Sequence, residues 1–277
     1  MTDDQPKNTR PLPFGAIPTL LKDLLPHAGE DIDPVAMARK DLKSSLPRRF
    51  WTRVEVKQQP DGFGIALDDR LTKTPARKPL LVPSRALAEH MAQEWHAIAE
   101  VIDPAQMPLT RLVNSALDGV SLQMEEVQAD AARYAGSDLL CYRAERPERL
   151  VLRQHAEWQP WLDWAEQTHG ARLVTTAGII HVPQDTRALA ALAEAVAIHD
   201  TIGLAALGVL VPALGSLVLG LAVAAGALSG AEAHAVSVLD DIFQEELWGR
   251  DADAHAGRLR VAADVVVAEN FLSLARA

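Results

Sequence analysis

The sequence holds one cysteine, Cys141, in 277 residues. A single thiol excludes an intrachain disulfide and any zinc site built on paired cysteines. Its neighbours Leu139, Leu140 and Tyr142 mark it as a packing residue rather than a nucleophile, and a reducing compartment suits it. Phosphate-binding motifs are missing too. No GxxxxGK[ST] occurs, and Gly62-Phe63-Gly64 lacks both a third glycine and a following helix, so it reads as a hairpin turn. Gly215-Ser216-Leu217 lacks the second glycine of a nucleophile elbow, which leaves Ser216 as a small residue between helices. There is no HExxH, and His90 and His96 lie six apart, on different faces of a helix. Neither cofactor nor metal is expected.

Positive charge is also short. Lysine and arginine total 27 against 37 aspartates and glutamates, a net charge of −10. That balance excludes a nucleic-acid surface built on dense Lys/Arg and suits a partner with a basic face. Hydrophobic residues at 48% and charged residues at 23% exclude general disorder and allow one large domain or two modest ones. Residues 1–48 carry Asp3, Asp4, Asp23, Glu30, Asp31 and Asp33, which transit peptides avoid, and no signal-type apolar run follows Met1. Seven prolines break this stretch into an arm with at most one short helix near 17–25.

One long run has no charge at all. Residues 201–231 are long enough to span a bilayer. The run contains no Trp, Tyr or Phe for an interfacial belt, is flanked by Asp200 and Glu232, and is divided by Pro212 and Gly215. It therefore reads as two helices packed inside a helical domain, with no stable membrane insertion.

Alternation of apolar and polar residues predicts strands at 50–56, 63–67 and 80–82, with turns at Pro60-Asp61-Gly62 and Asp68-Asp69. At Ser84, a good N-cap, the period changes: Leu87, Met91, Trp95 and Ile98 recur at helical spacing. A helix pair follows over 110–134, then a short strand or extended link at 138–142, a helix at 149–168, and a strand or hairpin at 173–182. Asp185 caps the next helix. Ser229 with Glu232 forms a capping-box pattern opening a helix to Trp248, and a last helix covers 252–274. The fold class is α+β, with a small β-rich N-terminal domain followed by a larger all-helical C-terminal one. The divisions are an arm at 1–48, a β-rich domain with the first helix at 49–105, and a mainly α-helical domain at 106–277.

Three clusters remain. Arg70, Lys73, Arg77 and Lys78 are either the wet face of a hairpin or a small anion patch. Trp158, Trp161 and Trp164 form a helical stripe that is either core or the edge of an interface. Asp240, Asp241, Gln244, Glu245, Glu246, Trp248, Arg250 and Asp251 lie outside an apolar backing of Leu239, Ile242, Phe243 and Leu247. They are either solvated helix surface or an electronegative docking face. No carboxylate pair there has the partners that would mark it as catalytic.

The order of short motifs over 48–274 resembles the ATP12 family of F1-ATPase assembly factors. They are Arg49-Phe50-Trp51, Leu67-Asp68-Asp69-Arg70 with Lys73-Thr74-Pro75, Glu94-Trp95, and Met107-Pro108-Leu109-Thr110. Then come Asp138-Leu139-Leu140-Cys141-Tyr142-Arg143, Trp158 to Trp164, Gly215-Ser216, and Gln244 through Trp248-Gly249-Arg250-Asp251. Two positions depart from the family pattern: Asp69 stands where glycine is common, and Asp240-Asp241 where Asp-Glu is common. The resemblance implies a non-enzymatic chaperone that binds the unassembled F1 α subunit until the β subunit replaces it. It implies no nucleotide, metal, nucleic acid or small-molecule substrate. It also implies a bacterial cytoplasmic location, with the mitochondrial matrix as the counterpart in eukaryotic members. The eight residues from Asp240 to Asp251 are the expected partner-binding segment. An enzyme using the acidic helix and a membrane-associated factor inserting 201–231 are the alternatives.

Overall fold

Residues 46–277 are described in a computed structural model of the chain, so the short helix expected near 17–25 lies outside the described residues. The sheet is built around β2 (Gly62–Leu67), which pairs antiparallel with β1 (Val54–Gln59) along its whole length, from Val54 opposite Leu67 to Gln59 opposite Gly62. The other edge of β2 is shared by β3 (Arg70–Leu71) and β4 (Leu81–Val82). Asp68 and Asp69 both have positive φ, 45° and 71°, the geometry a tight hairpin needs, so aspartate does serve where glycine is common. The Asp68 carboxylate accepts from the backbone N–H of Arg53 at 2.8 Å and of Thr52 at 3.0 Å. Those bonds hold its pKa below the ordinary carboxylate value.

The first strand starts four residues later than its alternation suggests and runs on to Gln59. Arg48 bridges to Val101, and Arg49 N–H donates to Glu100 O at 2.8 Å, so the lead-in pairs with the chain after the first helix and not with β2. This turns Trp51 inward against Trp95, with ring centroids 5.3 Å apart, and leaves Phe50 exposed.

Helix α1 (Arg85–Ala97) starts where Ser84 accepts from Leu87 N–H at 3.0 Å, and it buries Leu87, Ala88 and Met91. The expected pair over 110–134 is α2 (Pro108–Asn114), a π turn at Ser115–Gly119, a 3-10 turn at Val120–Leu122, and α3 (Met124–Arg133). Asp118 in the π turn accepts from Thr74 Oγ1 at 2.7 Å and Ala76 N–H at 2.9 Å, pinning the sheet's long loop to the helices. Lys78 donates to Leu117 O at 2.5 Å, so it is structural, while Arg70, Lys73 and Arg77 are exposed.

The segment 138–142 is neither strand nor plain link. Leu139–Cys141 form a 3-10 turn capped by Asp138, and β5 (Tyr142–Arg143) follows. Cys141 is fully buried, and burial, with the Asp138 charge second, pushes its thiol well above the ordinary range. A thiol reagent at pH 8 is therefore expected to leave the native protein unlabelled and to react once denaturant opens the fold. Rapid native labelling would refute a packed role.

After α4 (Glu148–His169), only Thr176–Ala177, β6, is a strand, and it pairs parallel with β5. The C-terminal part is thus not all-helical: two residues on each side make a small second sheet. α5 (Thr186–Ala197) is capped by Asp185 as its sequence suggests.

The uncharged run forms α6 (Thr201–Leu214) and α7 (Leu217–Ala224). Pro212 sits within α6; Gly215, at φ +62°, makes the turn. Gly220 lies so close to Val211 that an added Cβ would stand 2.8 Å from its Cγ2. Ser216 is more than a spacer, because it caps α7 by accepting from Leu219 N–H at 3.1 Å. Among the described residues no helix is long and apolar enough to cross a membrane.

The capping box of Ser229 and Glu232 is present, but the helix it opens, α8 (Gly230–Ser237), ends at Val238. A separate α9 (Leu239–Trp248) and the long α10 (Ala252–Arg276) complete the chain. One apolar cluster runs from Trp51 and Ile65 through Trp158 and α6 to Phe271.

Candidate partner-binding face

Helix α9 is seated by Leu239 and Phe243, both buried, with the Arg149 guanidinium 4.9 Å from the Phe243 ring centroid. That seating decides which of the eight expected residues face the solvent. Asp240 does not: it is half-buried and accepts from Gln154 Nε2 at 2.8 Å, while the buried Gln154 accepts from Ala144 N–H at 2.7 Å. Burial, abetted by the Asp241 charge, raises the Asp240 pKa. Asp240 is therefore a joint between α9 and α4.

Glu246 is exposed but engaged, bonded to Arg153 at 2.7 Å and Arg149 at 3.0 Å. The Arg153 bond leads in holding its pKa low. Glu245 is mostly buried and pairs with Arg258 of α10, with Arg250 further off at 3.9 Å. Asp251 caps α10 by accepting from Ala254 N–H at 2.8 Å. Asp241 is exposed and forms no ion pair among the described residues.

The apolar backing is also rearranged. Leu247, expected to point inward, is 50% exposed, and beside it Trp248 is 81% exposed. The Trp248 indole is held in place, since its Nε1 donates to Gln244 Oε1 at 3.1 Å. Asp241, Gln244, Glu245, Trp248 and Asp251 line one shallow groove with Gly249, Ala254 and Arg258; Asp240, Glu246 and Arg250 do not line it. Among the described residues the face is thus an exposed tryptophan beside the Asp241 carboxylate and the Asp251 cap, set among ion pairs already made, rather than a field of free acids.

Arg149, Arg153, Gln154 and Arg258 escaped the sequence reading. The spacing of Arg149 and Arg153, four apart on one helix face, was the only signal for them. The tryptophan stripe resolves to core: Trp158 is fully buried, its Nε1 donating to Val236 O at 2.9 Å, and Trp161 and Trp164 pack half-buried against the same cluster. A second groove between α4 and the 172–175 segment is lined by Gln159, Asp163, Glu166 and Arg172. Among the described residues no three His, Cys, Asp or Glu side chains stand together as a metal site would require.

The family model for the ATP12 chaperone protein matches residues 48–166. The crystal structure of Atp12 from Paracoccus denitrificans shares 45% identity with this chain, covering 83% of it and 99% of the other, with a TM-score of 0.80. The chain belongs to the ATP12 family. A crystal structure from Agrobacterium tumefaciens is 41% identical over 91% of this chain and 94% of its own, with a TM-score of 0.78. Protein atp12, mitochondrial, of Schizosaccharomyces pombe is 27% identical over 220 residues, 75% of this chain and 76% of its own. ATP12 proteins are chaperones of F1-ATPase assembly and not enzymes.

Proposed function

We propose that this ATP12 protein binds the unassembled α subunit of F1 and covers its apolar interface until the β subunit takes its place, using α9 and the turn into α10 as part of the contact. An α subunit without its neighbours exposes surface that invites aggregation, so a chaperone must cover it and still be displaced. A moderate, partly polar contact meets both demands, because buried area alone does not fix affinity.

The observation that carries this reading is Trp248. A tryptophan that is 81% exposed, with its ring oriented by Gln244 and an unpaired Asp241 nearby, has the composition of an interface anchor. The surrounding groups, Glu246 with Arg149 and Arg153 and Glu245 with Arg258, tie α9 to α4 and α10, and their three arginines exceed their two glutamates by one positive charge. On this reading the work is done where F1 is assembled, in the bacterial cytoplasm.

Trp248→Ala and Asp241→Arg test it against purified α subunit. Each is expected to weaken capture at least tenfold, about 1.4 kcal/mol, with the circular dichroism unchanged. Affinity equal to wild type for both would remove α9 from the contact. Reversal at Glu245 or Glu246 is a poorer test, because it sets a cation against Arg258 or against Arg149 and Arg153 within the chaperone itself.

A further inference from the structure

Between β6 and α5 the chain passes through Gly178, Ile179, Ile180 and His181. Ile179 is 92% exposed, more than any other large apolar side chain among the described residues, and Ile180 is 75% exposed. Isoleucine is normally among the most buried residues, so two adjacent ones in solvent are unusual.

The tip is nevertheless fixed at both ends. Gly178 turns the chain with φ +82°, and its N–H donates to Arg143 O at 2.8 Å. Tyr142 and His181 are hydrogen-bonded at 3.1 Å between the phenol oxygen and Nδ1. The buried Gln184 amide brackets Val174, accepting from its N–H at 2.7 Å and donating to its carbonyl at 2.9 Å. Anchoring of this kind holds a short segment in one conformation, so little ordering would be needed when it binds.

Two side chains present far less area than the roughly 1,200–2,000 Å² that a specific interface buries. The tip alone therefore cannot support self-association, and it serves best as an extension of a larger face. One such face is joined to the tip through bonded contacts. Arg143, whose carbonyl holds Gly178, stacks 5.3 Å from the Trp158 ring centroid and donates to Gln154 O at 2.7 Å. Gln154 in turn donates to Asp240 at the start of α9. A short chain of direct contacts thus links the tip to the helix that carries Trp248.

We propose that Ile179 and Ile180 are a second anchor of the client-binding face, seated in an apolar socket of the same F1 subunit that α9 engages. The proposal rests on the reading of α9 given above. An unassembled subunit offers apolar sockets that its missing neighbour would fill, which is the chemistry a rigid isoleucine pair matches.

The test is capture of each separated F1 subunit by the full chain and by Ile179→Glu/Ile180→Glu, with Ile198→Glu as control. Ile198 is 81% exposed at the end of α5, so the control adds a charge to an equally wet isoleucine. The double variant is expected to keep the wild-type melting temperature and to lose at least tenfold in capture of the subunit that wild type binds, while the control loses less than twofold. Capture by the double variant at the wild-type level overturns the proposal, as does an equal loss in the control. A monomer–dimer shift or lipid-vesicle binding that changes in the double variant while capture does not would also overturn it. If wild type captures no F1 subunit, the α9 reading fails as well. If Trp248→Ala lowers capture and the isoleucine variant does not, only the second anchor is lost.

Discussion

Trp158→Ala is expected to lower the stability of the protein by about 3–5 kcal/mol, the range for removing a large aromatic ring from a closed core. The ring is fully buried at the point where α4 meets α8, and its Nε1 donates to Val236 O at 2.9 Å. The Arg143 guanidinium lies 5.3 Å from the ring centroid, so truncation also takes away the aromatic partner of a half-buried cation. For a chain of this size such a loss corresponds to a fall in melting temperature of roughly 6–20 °C. Trp158→Phe separates the contributions. It keeps most of the volume and leaves Val236 O without its donor, for a cost of about 1–3 kcal/mol. Denaturant titrations of the three proteins measure both effects. A loss under about 1.5 kcal/mol for Trp158→Ala would mean that the surrounding side chains collapse into the space the ring leaves.

The second large effect is expected at Asp138. Its carboxylate is fully buried and joins two elements, accepting from Leu140 N–H at 3.1 Å through Oδ1 and from Val218 N–H at 3.1 Å through Oδ2. Asparagine has the same shape, but its amide nitrogen would set donors against a backbone donor. Asp138→Asn should therefore cost about 1–3 kcal/mol at pH 7.

A pH signature accompanies it. Burial raises the Asp138 pKa from 3.8 to about 6, against the pull of the Val218, Ser216 and Leu140 hydrogen bonds. Because the folded state then holds its proton more tightly than the unfolded chain, this group's contribution is fully present below the unfolded pKa. It is lost as pH rises through about 6. The gap between wild type and Asp138→Asn should therefore widen by about 1 kcal/mol from pH 7 to pH 5. Burial lowers the pKa of His169, His199 and His234, so these groups act in the opposite sense in wild type. They are common to both proteins and cancel in the difference. A gap independent of pH over that range would show that Asp138 ionises at its ordinary value.

Both residues also show how far the sequence carries. Trp158 was recognisable as part of a stripe, and the 100° step of a helix places all three tryptophans over one arc. Which one reaches the centre depended on where α8 crosses α4. Asp138 stood in a family motif, yet its partner Val218 lies 80 residues away, and no local pattern announces that bond.

The acidic segment shows the same limit more sharply. Eight residues are legible as a cluster, but helical spacing does not say which of their charges have partners inside the fold. In the folded chain Asp240 turns to Gln154, Glu246 to two arginines 93 and 97 residues earlier, and Glu245 to Arg258. The groove keeps an exposed tryptophan and the Asp241 carboxylate, which forms no ion pair among the described residues, and Leu247 lies outside instead of inside.

The sequence by itself determined the elements governed by a few neighbouring residues: the Ser84 and Asp185 caps, the Ser229–Glu232 box, the left-handed Asp68-Asp69 turn, and the paired helices of 201–231 divided at Gly215. Tertiary structure alone decided that Ser216 caps a helix, that the chain breaks at Val238, that Phe50 is exposed while Trp51 is buried, and that Ile179 and Ile180 stand in solvent. Caps and turns are settled by hydrogen bonds a few residues long, whereas exposure and charge pairing depend on which distant surface the fold brings alongside.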